Sequence, residues 1–299
     1  MDPVIPSALV ALPLDPISPR LPVELPFTPA MAARAGIGRA VLERLHREGR
    51  LRRLFRGVYL DATVPVTVEV RAMALRLVVA DRHVVVGTTA AWLHGVTVPG
   101  RDPQAPLPVE ISGHSRRRGS CAQVPYADHD LQRVGEVRCT APLRTALDLG
   151  RDLAPDRALA ALDGFLGLRA FPHTALMAEV PRFGGRPGVV QLRELAAVAD
   201  GRADDPAESV LRLRWLHGRL PTPTPALVVG GSRLALGLEV HRFGAVLSGR
   251  LGDAELRALS ARGWRVVVVT PERVQRSDPD LVVGHLEREF HLHLLDQVG

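Results

Sequence analysis

Residues 27–60 read FTPAMAARAGIGRAVLERLHREGRLRRLFRGVYL, and the spacing of apolar positions within this stretch decides how the N-terminal part of the chain folds. Thr28 followed by Pro29 is a helix start: a threonine hydroxyl accepts from an N–H one turn on, and proline at the first helical position gives up only an N–H that has no helical partner. Met31, Ala32 and Ala35 fall on one face of a short helix that stops at Gly36. A second helix is expected from Ile37, with Val41, Leu42 and Leu45 as its buried stripe and Gly49 closing it. The following LRRLFRGVYL predicts a strand, a tight turn at Gly57 and a second strand, with Leu51, Leu54 and Phe55 inward and the arginines outward. Two short helices across a glycine turn, followed by a hairpin, fit a winged helix-turn-helix.

All 38 basic residues are arginine, and lysine and asparagine are both absent, as in the codon bias of a GC-rich genome. Arginine abundance is therefore uninformative, and local excess over acid is the better measure. From Arg34 to Arg56, eight arginines stand against only Glu43 and Glu48, a net +6 that equals the formal charge of the whole chain. Attraction for a polyanion is concentrated in this one segment. On the second helix Arg39, Glu43, Arg47 and Arg50 lie away from the apolar stripe. The candidate contacts to double-stranded DNA are Thr28, Arg39, Arg44, Arg47, Arg50 and Tyr59, with Arg52, Arg53 and Arg56 flanking the duplex from the wing. The plainer alternative is a solvated basic helical hairpin.

At 299 residues the chain has room for two or three domains, and its 46% apolar content supports real cores built from Leu, Val and Ala, since aromatics are 4%. No run of about twenty apolar residues is present, so a membrane span is not expected. The first 26 residues hold seven prolines and the acids Asp2, Asp15 and Glu24. They lack the basic start and apolar run of a secretory signal and read as a flexible leader to a cytoplasmic protein. Cys121 and Cys139 have neither CxxC spacing nor a histidine pair, so reduced thiols are expected rather than a zinc site, and no cofactor is implied.

The phrase GRLRRLFRGVY, residues 49–59, resembles the N-terminal winged-helix domain of AbiEi-type antitoxins of type IV toxin–antitoxin systems. The resemblance implies operator binding, autoregulation of the antitoxin's own operon and a nucleotidyltransferase-like toxin as partner. TTAAWLHG (88–95) and LRTALDL (143–149) are similar to the middle region of long relatives. There, helices are expected over 67–82 and 88–95, strands near 107–112, 121–125 and 134–139, and two helices divided around Pro155. Trp92 and His94 read as packing residues. Gly87, Thr88 and Thr89 lack the serine and paired acids of nucleotidyl transfer, and Arg116, Arg117 and Arg118 read as a loop tip.

From about residue 203 the expected order is a helix holding Glu208, strands at 227–229, 233–238 and 241–247, the helix DAELRALSARG, a strand in GWRVVVV ending in a loop, and the helix LVVGHLEREFHLHLL. This order resembles the Vsr-like domains of the restriction-endonuclease-like superfamily. In active members a helix Glu, a strand Arg-x-Asp-Leu and a strand Glu-x-Asp-Gly hold magnesium, a hard cation that needs oxygen ligands. Here RLAL from Arg233 puts Ala235 at the aspartate, and Val246 and Ser248 fall on the next two acids. Glu208 alone does not make a metal site. Glu239 and Asp253, the latter read as a helix cap, do not replace the missing acids, and His285, His291 and His293 do not share a face.

The resulting expectation is an α+β multidomain protein: a leader (1–26), a winged helix-turn-helix (27–62), an α/β middle region (63–200) and a restriction-endonuclease-like α/β domain without metal-ligand acids (201–299). Its expected role is DNA-binding repression without catalysis. The alternatives are a magnesium-dependent endonuclease and an antitoxin that contacts protein rather than DNA.

Overall fold

The structure is a computed structural model that describes residues 24–100, 105–112 and 125–298. Most of the expected leader, the arginines at 116–118, Cys121 and nearly all of the strand expected at 121–125 lie outside the described residues. Two compact units emerge, one from the described residues of 1–95 and 101–145, the other from 96–100 and those of 146–299. This differs from the expected divisions at 62/63 and 200/201. No described helix is long and apolar enough to cross a membrane.

The first unit runs α1 (Pro29–Arg34), α2 (Arg39–Arg47), β1 (Leu51–Phe55), β2 (Val58–Asp61), α3 (Val68–Arg76), α4 (Gly87–His94), β3 (Leu131–Val134) and β4 (Val137–Thr140). Both strand pairs, β1–β2 and β3–β4, are antiparallel hairpins. Phe27, Ala32, Ile37, Leu42, Leu45, Leu51 and Tyr59 form one buried cluster. A second joins Leu54, Phe55, Val58 and Leu60 to Val70, Leu75, Val85, Leu93 and Cys139. The β1–β2 hairpin therefore shares a core with α3, α4 and β4, across the division expected at 62/63.

Several local expectations change. The helix expected to reach residue 82 ends at Arg76, and the strand expected at 134–139 is two strands meeting in a turn. Residues 107–112 supply only single bridges, Leu107 to Phe55 and Ile111 to Val85. Trp92 and His94 do pack. Trp92 sits edge-on to Phe55 at 5.1 Å, with the Arg71 guanidinium over its ring at 5.4 Å. The His94 ring is 2.8 Å from the Thr140 carbonyl, and burial lowers its pKa. Cys139 is buried and its thiol is pushed up to about 12 by desolvation.

The division between units falls within α5 (Pro142–Asp152). The chain continues through α6 (Pro155–Gly167), α7 (His173–Glu179), α8 (Val189–Val198), α9 (Pro206–His217), β5 (Thr224–Pro225), β6 (Val228–Val229), β7 (Ser232–Arg233), β8 (Leu236–Leu238), β9 (Phe243–Leu247), α10 (Asp253–Ala261), β10 (Arg265–Val269), α11 (Pro271–Arg276) and α12 (Pro279–Val298). Helices α7 and α8 fall where the sequence reading assigned nothing. α11 replaces an expected loop: Thr270 caps it by accepting from the Arg273 N–H at 3.2 Å, and Pro271 follows the cap. Asp253 is the first helical residue of α10, and the cap itself is Gly252. The main sheet has the order β10-β9-β8-β5, with β9 and β10 parallel and the other pairings antiparallel. Trp215, Phe243, Val267, Val282 and Leu286 lie in its core.

Helices α6 and α9 are joined by two arginine–aspartate pairs. The Arg212 guanidinium donates to the Asp163 carboxylate at 2.5 Å and to the Val198 carbonyl, while Asp163 also accepts from the Asp200 N–H at 2.8 Å. Arg214 donates to Asp156 at 2.7 Å. Burial pushes the Asp163 carboxyl up, and Arg212 pulls it back toward ionisation. Removing one member of a buried pair strands the other charge, which costs about 3–5 kcal/mol. Asp163→Ala is expected to lose that much in urea unfolding of this unit, and a loss below about 1 kcal/mol would show that the pair does not hold α6 to α9.

Candidate nucleic-acid interface

Two glycine turns shape the basic segment. The Thr28 hydroxyl accepts from the Met31 N–H at 3.3 Å, with Pro29 in the first turn of α1 as expected. At the other end Gly36 (φ +81°) donates to the Ala33 carbonyl at 3.0 Å and Ile37 to Ala32 at 2.9 Å. That paired bonding closes a helix through a left-handed residue, which glycine adopts without the Cβ penalty. The same pattern ends α2, where Gly49 (φ +72°) donates to His46 at 3.1 Å and Arg50 to Leu45 at 2.9 Å. Ile37 is thus a buried turn residue rather than the start of α2, and Ala35, expected on the buried face, is exposed. Leu42 and Leu45 form the buried stripe of α2, with Val41 partly buried.

The hairpin determines which arginines are available. Its register shifts between Arg53 and Phe55, a bulge that lets Leu54 and Phe55 both turn inward. Arg52 donates to the carbonyls of Ala62 (2.5 Å) and Val64 (2.8 Å) and so ties the hairpin to the chain that follows it. Arg53 lies 6.0 Å over the Tyr59 ring, and its Nε is buried without a hydrogen-bond partner. Arg53 is therefore half-buried against the hairpin, whereas Arg52 stays on the exposed side, as expected, with its guanidinium held by backbone carbonyls. Tyr59 needs a similar correction. Only 7% exposed, it pairs with Phe27 through two 2.9 Å backbone bonds, stacks on that ring at 6.1 Å and meets His46 edge-on at 6.3 Å. It is a core residue, and the hydroxyl of Thr28 is likewise engaged in capping.

Like Arg52, the remaining arginines of the segment are exposed. Arg34, Arg47, Arg50 and Arg56 have no side-chain partner among the described residues. Arg44 is 3.8 Å from Glu48 and Arg39 is 3.0 Å from Glu43, each pair one helical turn apart on the surface of α2. Sequence reasoning noted Glu43 on the outer face without giving it a role. Its separation of four residues from Arg39 was the available signal.

The second candidate cluster lies around Glu208, which is 3% exposed. Both its oxygens accept from Arg233 at 2.9 Å, and one also accepts from the Asp204 N–H at 3.1 Å. Arg233 further meets Asp204 at 3.2 Å and the Arg202 carbonyl at 2.8 Å, and its pKa is raised chiefly by Glu208. Ala235 and Val246 are buried and Ser248 is exposed in the turn after β9. Among the described residues no group of three or more His, Cys, Asp or Glu side chains is placed to hold a metal ion. Of the C-terminal histidines, His293 is buried with its ring 2.7 Å from the His241 carbonyl, His291 is exposed, and His285 lies 3.1 Å from Arg288.

Residues 26–60 match a family model described as a transcriptional regulator, AbiEi antitoxin. Two uncharacterized proteins, from two strains of Mycobacterium tuberculosis, are each 32% identical over 176 residues, covering 53% of this chain and 65% of theirs. The chain thus spans just under two thirds of the length of these curated relatives. No solved structure matches.

The burial of Tyr59 makes a direct prediction. Truncating a buried aromatic costs about 3–5 kcal/mol, so Tyr59→Ala is expected to destabilise the first unit by that order in urea unfolding, while Tyr59→Phe keeps the ring and most of the stability. Equal stability of the alanine variant and the parent would return Tyr59 to the surface.

Proposed function

We propose that α1, α2 and the β1–β2 hairpin form a winged helix-turn-helix that binds double-stranded DNA, and that the chain is a transcriptional regulator of the AbiEi antitoxin kind acting on its own operon. The observation that carries this reading is the set of exposed arginines without internal partners, Arg34, Arg47, Arg50 and Arg56, within the short segment that holds the chain's entire net charge. Free guanidiniums on a rigid frame neutralise backbone phosphates and release counterions. α2 is the second helix of the pair, the position that enters the major groove. The match of residues 26–60 to the antitoxin family supports the same assignment, and a nucleotidyltransferase-like toxin is the partner that the antitoxin reading carries with it.

The C-terminal unit is, in this proposal, non-catalytic, and the protein stays in the cytoplasm. Support comes from the bidentate pairing of Glu208 with Arg233 and from the apolar, buried residues at positions 235 and 246. A carboxylate already neutralised by a guanidinium is a poor ligand for magnesium, which needs charged oxygen donors to replace its water. Plasmid DNA incubated with the purified protein and Mg²⁺ or Mn²⁺ is expected to stay intact. Cleavage that disappears in Glu208→Ala would establish the endonuclease reading instead.

Gel shifts against the chain's own upstream region test the regulatory reading. The triple variant Arg47→Ala, Arg50→Ala, Arg56→Ala should weaken binding to all sequences and flatten the dependence of log K on log salt by up to about 0.9 for each phosphate that is no longer neutralised. Arg53→Ala should leave that slope nearly unchanged, because its guanidinium is half-buried over the Tyr59 ring. An unchanged slope in the triple variant would remove these arginines from the interface.

A further inference from the structure

The outer face of α2 carries an arrangement that helix stability does not account for. Arg39, 85% exposed at its side chain, donates through Nε to Glu43, 54% exposed, at 3.0 Å. Exposed pairs of this kind add only about 0.3–0.5 kcal/mol, and the order basic-then-acidic is the weaker one. Arg39 also occupies the first position of α2, where the helix dipole disfavours a cation. Glu43, moreover, places a negative charge in the middle of the face most exposed to a polyanion. Both residues thus work against the simplest demands of folding and of phosphate attraction, which points to a use beyond either.

Nε donation to Glu43 holds the Arg39 guanidinium in line and leaves its terminal nitrogens free to point outward. An arginine so presented is matched to the O6 and N7 acceptors of guanine, and a carboxylate is the acceptor suited to the N4 amino group of cytosine. Arg39, Glu43 and Arg47 follow one another at four-residue steps, about 12 Å along the helix, which spans three to four base-pair steps. Resting on the DNA-binding reading above, we propose that Arg39 and Glu43 are the sequence-reading pair of this helix. Arg39 donates to a guanine, Glu43 accepts from a cytosine beside it, and the unpaired arginines hold the backbone.

Selection of binding sites from a randomised duplex library, run on the full chain and on folded single variants, tests this. The parent is expected to select a site with a fixed guanine–cytosine step. Arg39→Ala should lower discrimination at the guanine by about 5- to 150-fold, the range for a bidentate base contact. Glu43→Ala should relax the neighbouring cytosine while strengthening binding to unrelated DNA, since an acid has left a face near phosphates. Glu43→Gln keeps a side-chain acceptor for Arg39 but should move the preference from cytosine toward adenine, which glutamine pairs well. A merely structural helix pair would not produce that switch. If the parent selects a site and all three variants select the same one with equal discrimination, the reading pair is wrong and DNA binding stands. If the parent selects no duplex, both fail.

Discussion

The β1–β2 hairpin is buried on both faces, and the arrangement of the first unit follows from that constraint. Leu51 and Tyr59 face the helices α1 and α2, while Leu54, Phe55, Val58 and Leu60 face α3, α4 and β4. A strand presents alternate residues to opposite sides, and the bulge after Arg53 is what allows Leu54 and Phe55 to be buried together. A free-standing hairpin would have one greasy side and one wet side. This one has two greasy sides, so its arginines are sorted by position. Arg52 bonds the carbonyls at the hairpin's base while staying exposed, Arg53 lies half-buried across Tyr59, and Arg56, beside the turn, is exposed with no side-chain partner among the described residues.

Sequence reasoning followed that segment well where the causes are local. Thr28, Pro29, Gly36 and Gly49 act within a turn of their own positions, and the structure keeps each of them in the role its chemistry suggests. The partners of the hairpin's second face, Val70, Val85 and Cys139, lie up to about eighty residues downstream, and no spacing within residues 27–60 encodes them. The core shared across residue 62 and the burial of Tyr59 escaped the sequence for the same reason. Alternation says that a side chain leaves one face but not whether the other face is wet. The loop expected after β10 is a different kind of miss. Thr270 and Pro271 repeat the Thr-Pro start of α1, so α11 was legible and overlooked.

In the C-terminal unit, Glu208 and the acids beside it find their partners among cations nearby. Glu208 and Asp204 converge on Arg233, and Asp205 caps α9 while its other oxygen meets Arg250 at 3.2 Å. Charge in this region is balanced within the fold. A buried carboxylate must be neutralised by a proton, a metal or a cation, and here a guanidinium supplies the charge. The same logic governs Asp163 and Arg212 at the α6–α9 contact. The unit's internal ion pairs therefore serve packing, which agrees with the basic segment, rather than this unit, carrying the chain's net charge.

On the DNA-binding reading proposed above, that division bears on how the protein would separate affinity from selectivity. Phosphate attraction is indifferent to sequence and grows with every free arginine, so a segment with eight arginines risks binding all DNA alike. Laying Arg53 over Tyr59 would reduce the number that reach phosphate without lowering the formal charge that steers association. Glu43 goes further in the same direction: it subtracts charge from the proposed recognition face and, through Arg39, gives what remains a fixed direction. An acid there weakens contact with every backbone by a similar amount and repays that loss only where a base offers it a donor. Selectivity is a difference between affinities, and a residue that penalises the wrong sequences contributes to it as directly as one that rewards the right sequence.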